Sequence, residues 1–426
     1  MEYVYAHPNL IGYNPASANY ANAVWFDLHT ANYNSKPPLT LVVGAQGSGK
    51  TFTLLNLTTL NALQGSCVVG IDWKGDLLPA AELSAITGFH TSRHKIEPPV
   101  EQFEDPNITP EERDELRNRN TGILDPFVMF VDDEDPEQTK TDITIAVNAI
   151  CYALSPKEME YINIKTAIAE CVSDTYGFSA KEQRTMRTFL TRLMILGHKR
   201  EDQQIQDYAG YLQHQLTNGA GKMLAAIPGH PPKEKFTVEP GITIIDLSTL
   251  PGLPQTAEDL KNPAMGVGQA IIAMLSLYIQ QTFTRMERNI RKTFVIDEAW
   301  AIIGNPIGGT LIKMFTRLGR SRNVAVLLGS QSFTDLINDN TNFNSASIST
   351  YMAFNNSVKD ALVGLQAMGI EEEEQKDLAK IFPHLSQGCC LMQDHRRRRG
   401  LVQHWVWDNR LAKLYNSNPN TITQNN

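Results

Sequence analysis

Leu39 to Leu63 reads LTLVVGAQGSGKTFTLLNLTTLNAL, and this stretch decides the fold. Leu39 to Val43 is a short run of β-branched and leucine residues. Gly44 to Thr51 is a glycine cluster, and from Thr51 the apolar residues recur at helical spacing. Strand, glycine loop and helix in that order predict a parallel α/β sheet with the loop at a strand's carboxyl end. The loop is a complete G-x-x-x-x-G-K-T: Gly44, Ala45, Gln46, Gly47, Ser48, Gly49, Lys50, Thr51. Glycines let successive backbone N–H groups turn toward phosphates, and the helix amino terminus adds its positive end. In such a P-loop Lys50 reaches the β and γ phosphates and Thr51 ligates Mg²⁺.

A P-loop needs a further carboxylate to hold the magnesium shell, at the end of a buried strand. Phe294-Val295-Ile296-Asp297-Glu298 supplies one. Asp297 is the expected Mg²⁺ residue, and Glu298 is placed to orient and deprotonate an attacking water. An acidic pair at this point favours an ATPase that does work over a GTPase or nucleotide kinase. Downstream, VAVLLGSQS runs a strand into Ser330-Gln331-Ser332, where the Gln331 amide can touch both the γ phosphate and the water.

Three arginines, Arg317, Arg320 and Arg322, precede that strand. One could stabilise transition-state charge in a neighbouring subunit, or all three could be solvated helix-end residues. The run Arg396 to Arg399 could stack on adenine, face a neighbour or form a solvated hairpin tip. Asp72-Trp73-Lys74-Gly75-Asp76 reads as a structural turn, because the glycine loop is not the G-x-G-x-x-G that would pair with a ribose-binding acid.

Around these motifs the chain alternates strands and helices. SCVVGID (Ser66 to Asp72), FVMFV (Phe127 to Val131), GITIIDL (Gly241 to Leu247), FVID (Phe294 to Asp297), VAVLL (Val324 to Leu328) and YMAF (Tyr351 to Phe354) are expected strands. Gly266 to Arg285 is an expected long helix. CCLMQ and LVQHWVW flanking DHRRRRG predict a β-hairpin with a basic tip. Glu97 to Asn120 is charged and proline-containing, a surface insertion. From about Thr139 to Met223 the pattern turns helical. The resulting division is an amino-terminal lead-in (1–38), a motor domain in two parts (39–136 and 226–410), an inserted all-helical subdomain (137–225) and a disordered tail (411–426).

Composition sets the outer bounds. With 426 residues, 42% hydrophobic and 20% charged, the chain can bury a core and is not a disordered protein. A net charge of −8 argues against a surface built mainly for phosphate backbones, leaving room for a local basic groove. Cys67, Cys151, Cys171, Cys389 and Cys390 lie in apolar contexts with no zinc spacing, as core thiols of a cytoplasmic protein do. No signal peptide and no membrane-spanning run is present, so work at a membrane would require recruitment by partners.

Taken together, GAQGSGKT, IDWKGD, ILDPF (Ile123 to Phe127), the helical insertion, VIDEAW (Val295 to Trp300) and RSRN followed by GSQS resemble the VirB-four ATPases of type IV secretion, which include the TraC and TrbE conjugation proteins. Asp297-Glu298-Ala299-Trp300 is the most telling piece. The resemblance covers about Thr40 to Trp407. It implies a RecA-like motor carrying an inserted helical domain, assembled as a homo-hexamer at the cytoplasmic face of the membrane. It further implies that ATP and Mg²⁺ drive pilus or channel assembly and transfer of DNA or protein substrates, relaxase–DNA included, with channel proteins and a coupling protein as partners. Matched by motif, Lys50, Thr51, Asp297, Glu298 and Gln331 take the roles above, and Arg320 aligns with the family's arginine ahead of the strand. Ser321 follows it where lysine is usual. The family's separate amino-terminal docking domain has no counterpart before Leu39, implying truncation or a docking domain elsewhere. Rival readings are a coupling-protein or HerA–FtsK-type DNA translocase, which shares the RecA-like core, and a non-hydrolysing nucleotide switch or assembly scaffold.

Overall fold

Eleven strands form one sheet in the computed structural model, which describes residues 9–16, 22–72, 74–97, 109–112, 121–131, 135–226, 237–250, 266–303, 312, 315, 319, 321–337 and 345–416. In chain order they are β1 (Asn9–Tyr13), β2 (Ala23–Phe26), β3 (Leu39–Val43), β4 (Cys67–Asp72), β5 (Thr91–Lys95), β6 (Ile242–Asp246), β7 (Lys292–Ile296), β8 (Val324–Ser330), β9 (Thr350–Ala353), β10 (Cys389–Gln393) and β11 (Arg399–His404). Their spatial order is β2-β1-β11-β10-β9-β3-β8-β7-β4-β6-β5. From β9 to β5 every pairing is parallel, and from β10 outward to β2 every pairing is antiparallel. The fold is the expected α/β one, a mainly parallel sheet flanked by helices. The central strands β3, β4, β6, β7 and β8 are buried along their whole length, which is why they read as continuous apolar runs.

The helix Lys50–Leu63 follows β3 directly and buries Leu54, Leu55, Leu57 and Leu60 in the main core cluster. Each fully buried leucine contributes about 2 kcal/mol. Across this helix lies the terminal helix Asn409–Tyr415: the Thr59 hydroxyl meets the Tyr415 hydroxyl, and Phe52 packs edge-on against the Tyr415 ring at 5.8 Å.

Three expectations are corrected here. Residues 1–38 are more than a lead-in, since β1 pairs with both β2 and β11 and extends the sheet. The tail is ordered through Tyr415: Asp408 caps the helix Asn409–Tyr415, and Leu411 and Tyr415 are buried at i, i+4 spacing. Residues 417–426 lie outside the described residues. Phe127 to Val131 is no strand. Pro126–Met129 is a helical turn, because Asp125 caps it and Pro126 occupies the first helical position. Most of the charged stretch from Glu97 to Asn120 also falls outside the described residues.

Contacts divide the chain into two units, one drawing on Met1–Lys95, Val238–Ser248 and Gln280–Asn426, the other on Ile96–Thr237 and Thr249–Ile279. The first contains the whole sheet. The second contains the helices Pro136–Leu154, Ile162–Phe178, Met186–Lys199 and Gln203–Thr217. Side-chain caps from Asp135, Thr185 and Asp202 start three of them. Ile143, Val147, Ile150 and Leu154 face inward on the first, as do Ile205, Ala209, Leu212 and Leu216 on the last. Asp125 ties this unit together: its buried carboxylate accepts the backbone N–H of Phe127 at 2.9 Å, Met186 at 2.8 Å and Ala226 at 3.0 Å.

Candidate functional site

The register of the parallel strands sets the site. Val43 of β3 lies beside Ser330 of β8, and Leu328 of β8 lies beside Ile296 of β7. The residues that follow these three strands therefore meet at one edge of the sheet: the loop Gly44 to Thr51, Gln331, and the pair Asp297-Glu298. Strand β8 separates the P-loop strand from the acidic strand, so Gln331 stands between them.

The loop holds its shape through backbone groups. Gly44 N–H donates to the Ser330 carbonyl at 3.2 Å, Ala45 N–H to Asn355 at 2.9 Å, and Gly388 N–H to the Ser48 carbonyl at 2.8 Å. Gly49 has φ +104°, and a Cβ there would sit 2.8 Å from the Gly388 backbone, so only glycine fits. Gly49 is also the amino-terminal cap of Lys50–Leu63, with no side chain capping the helix. Uncapped N–H groups at a helix start form an anion site. The Ser48 hydroxyl is buried beside them without a hydrogen-bond partner.

At the end of β7, Lys50 forms an ion pair with Asp297 Oδ1, and the Thr51 hydroxyl lies 3.3 Å from Asp297 Oδ2. Thr51 and Asp297 are one hydroxyl and one carboxylate at the rim of the anion site, which fits Mg²⁺, an ion that takes few protein ligands and fills its shell with phosphate oxygens and water. Among the described residues no group of three or more His, Cys, Asp or Glu is placed to bind a metal by itself.

Glu298 is the most constrained residue of the site. Its φ is +66°, a left-handed conformation that costs a non-glycine residue about 1–3 kcal/mol and re-aims the side chain. The carboxylate is 2% exposed, and both its oxygens are engaged. Oε1 accepts from Gln331 Nε2 at 2.7 Å and pairs with Lys74 Nζ at 3.0 Å, with Lys50 Nζ at 4.0 Å; Oε2 accepts from the Trp300 indole at 2.6 Å. Burial pushes the Glu298 pKa up, but the charges of Lys50 and Lys74 and the hydrogen bonds from Lys74 and Gln331 outweigh it and hold the group below the usual range. Lys50 shows the converse. Burial opposes its charge, while Asp297, Glu298 and Asp76 together raise its pKa.

Two participants escaped the sequence reading. Lys74 lies in the expected turn, where the Asp72 carboxylate accepts the N–H groups of Lys74, Gly75 and Leu77 at 3.2, 2.9 and 2.8 Å. What the local sequence hides is that β4 lies next to β7, which brings the Lys74 ammonium to Glu298. Trp300 closes the Asp-Glu-Ala-Trp signature, and its role as a donor depends on the left-handed turn at Glu298. Of the three arginines, Arg317 and Arg320 lie outside the described residues, and the Arg322 carbonyl accepts from Lys292 Nζ at 2.9 Å. At the hairpin tip Arg398 pairs with Asp394 at 2.7 Å and Arg399 with Glu374 at 3.5 Å, at the sheet edge opposite the P-loop.

Residues 22–414 match the family model described as AAA-like domain. A curated relative, the uncharacterized protein YddE of Bacillus subtilis (strain 168), is 24% identical over 289 residues, 68% of this chain and 32% of its own length. The chain thus spans about a third of that relative. The structure of VirB4 of Thermoanaerobacter pseudethanolicus superposes with a TM-score of 0.69 at 12% identity, covering 94% of this chain and 97% of that one. The plasmid coupling protein TrwB in complex with ADP and Mg²⁺ gives 0.54 at 14% identity, over 88% and 87%. The fold is that of the RecA-like P-loop NTPases.

Proposed function

The chain belongs to the AAA-like domain family, and on that premise we propose that it is the ATP-hydrolysing motor of a type IV secretion or conjugative transfer system. The observation that carries the reading is the convergence of Lys50, Asp297, Glu298 and Gln331 within hydrogen-bonding reach at the end of three adjacent strands. The P-loop N–H groups and Lys50 bind the phosphates and offset their charge. Glu298 accepts a proton from water as the water oxygen bonds to the γ phosphorus, and the bond to the β–γ bridging oxygen breaks to release ADP. Mg²⁺, when bound, neutralises phosphate charge, with Thr51 and Asp297 as the residues that hold it. Gln331, bonded to Glu298, reports whether the γ phosphate is present.

The fold likeness to VirB4 over nearly the whole of both chains supports the secretion setting. In this reading the chain works as a homo-hexamer with Arg320 acting across the interface. It is held at the inner face of the membrane by channel proteins and a coupling protein, and drives channel or pilus assembly and the transfer of DNA or protein. The helical subdomain 137–225 passes the nucleotide state to those partners. No helix among the described residues is long and apolar enough to cross a membrane.

The test is Mg²⁺-dependent phosphate release by the purified chain, measured over a range of protein concentrations. Lys50→Ala is expected to lose nucleotide binding. Glu298→Gln is expected to bind ATP and release phosphate roughly 10²–10⁴-fold more slowly. Turnover at the wild-type rate in Glu298→Gln removes the base assignment, and no turnover by the wild-type chain at any concentration overturns the motor reading.

A further inference from the structure

Four carboxylates and two ammonium groups crowd this edge of the sheet: Asp72, Asp76, Asp297 and Glu298 against Lys50 and Lys74. Their mutual influence is visible in the raised pKa of Asp76, which burial and the charges of Asp297 and Glu298 push up while Lys50 and Lys74 pull it down. The lysines differ in how they are held. Lys50 is buried and rigidly placed at the first position of the P-loop helix, while the Lys74 side chain is 25% exposed on a turn and reaches inward to Glu298 Oε1.

Three donors crowd the Glu298 carboxylate, filling Oε1 and leaving a single lone-pair direction on Oε2. Oε1 is shared by Lys74 and Gln331, and Oε2 is taken by Trp300. A water that is to lose its proton to Oε1 needs one of the two donors there to leave, and the departure of a cation also raises the basicity of the carboxylate. Trp300 is two residues away in the chain and its indole is locked by the same turn. Gln331 is fixed by a strand end and by its carbonyl, which accepts from Asn356 Nδ2 at 2.9 Å. Lys74 is the donor with a long flexible stem, a solvent-facing side and a full positive charge, and it stands on the same carboxylate oxygen that Lys50 approaches.

We propose that Lys74 is a second, displaceable phosphate-binding cation: it occupies Glu298 when no triphosphate is bound, and moves to the terminal phosphate of a nucleoside triphosphate, freeing Glu298 for water. The inference rests on the motor reading above and adds a residue to it. The turn is built for such a swing, since Asp72 pins the backbone N–H groups of Lys74, Gly75 and Leu77 and Gly75 supplies the left-handed bend, leaving the side chain as the moving part. A diphosphate lacks the γ phosphate that Lys74 reaches, so the base stays covered after hydrolysis until a new triphosphate binds.

The experiment compares affinity for ADP with affinity for the non-hydrolysable analogue AMP-PNP, both with Mg²⁺, by calorimetry on the wild-type chain, Lys74→Met and Lys74→Arg, with kcat and KM for ATP alongside. Lys74→Met is expected to bind ADP as the wild type does, to bind AMP-PNP about 10–100-fold more weakly, and to lose kcat by a similar factor, as removal of one charged hydrogen bond implies. Lys74→Arg is expected to restore most of the preference for the triphosphate. Equal affinities for both nucleotides across all three proteins overturn the proposal, as does equal weakening of both, which marks a structural lysine. If Lys74→Met does not fold, Lys74→Gln carries the same comparison. A wild-type chain that binds neither nucleotide defeats the motor reading itself, an outcome separate from a wild type that turns over while Lys74→Met matches it.

Discussion

A Cβ on Gly329 would stand 2.6 Å from Asp297 Oδ1, so β8 forgoes a side chain where the Asp297 carboxylate turns over it. The same Cβ would lie 2.6 Å from Leu54 Cδ1 on the P-loop helix, and the Gly329 carbonyl accepts the N–H of Ala299 at 2.7 Å. Gly329 is therefore a close-approach glycine whose space is used from two sides. Gly329→Ala is expected to displace the oxygen that accepts from Lys50 and from the Glu298 N–H. ATP turnover should fall at least roughly tenfold, with a stability cost of about 1–3 kcal/mol from overpacking. Phosphate release and a thermal melt on the same sample check both numbers.

Asp360 organises the segment that leaves Gln331. Its carboxylate accepts from Ser332 Oγ at 2.5 Å, from the N–H groups of Phe333 and Thr334 at 3.0 Å each, from Thr334 Oγ1 at 2.9 Å and from Asn356 Nδ2 at 2.8 Å. Asp360→Ala should destabilise the chain by about 2–3 kcal/mol and lower kcat more than it raises KM, because Gln331 loses its support while the P-loop keeps its own. Asp360→Asn, which keeps one acceptor oxygen, should fall between. Equal kcat in all three proteins would show that the loop does not govern Gln331.

His404 makes the sheet unit sensitive to acid. Its ring is buried, 3.5 Å from the Cys390 thiol and packed on Phe354, with Nδ1 unpartnered, and burial drives its pKa down to about 4. Between pH 6.5 and about 4 the unfolded chain binds the proton that the folded chain refuses, so stability falls as pH is lowered through that window, on the order of 3 kcal/mol in all. Urea denaturation at pH 7.5 and pH 5 should show the loss, and His404→Leu should reduce it.

Asp125 acts in the opposite sense in the helical unit. Burial raises its pKa to about 7, its three backbone hydrogen bonds countering only in part. The folded form then holds the proton more tightly than the unfolded form, so its stabilisation is greatest at low pH and declines as pH rises through about 7. Asp125→Ala strips three buried N–H groups of their acceptor and should cost at least roughly 3 kcal/mol at pH 5 and less at pH 8. Hydrogen exchange of the helices Met186–Lys199 and Gln203–Thr217 is the direct readout, since Met186 N–H is one of the three.

Much of this architecture is legible in the chain because the informative signals are local. Lys50, Thr51, Asp297 and Glu298 sit in short motifs flanked by apolar runs, and a strand buried on both faces announces itself as an unbroken apolar stretch. Legibility fails where a residue's meaning comes from a neighbour in space. Strand β5, Thr91–Lys95, is polar in sequence and joins the sheet because Arg93 finds Asp246 of β6 and Ser92 finds Thr243. Lys74 needs the β4–β7 adjacency, and Trp300 needs the turn at Glu298. Two of the corrected elements carry local signals. The Asp125-Pro126 pair ahead of FVMF is a helix start, and Asp408 followed by Leu411 and Tyr415 is a capped amphipathic turn.

The antiparallel end of the sheet has a consequence in time. Gly12 of β1 pairs with His404 of β11, so β1, paired locally with β2, gains its second partner only when the chain has been made through β11. Until then Ile11, Phe26 and Leu28 of the early segment lack the β11 edge and the Val402, Leu411 and Tyr415 side chains with which they share a core. Such a long-range closure is slow, and it leaves an apolar hairpin waiting on an emerging nascent chain. That closure reaches Gly388, whose carbonyl accepts the His404 N–H at 2.8 Å and whose backbone also backs the loop at Gly49. Without β11 the Gly388 turn would still face Gly49 but would lose the bond from His404 that holds it there.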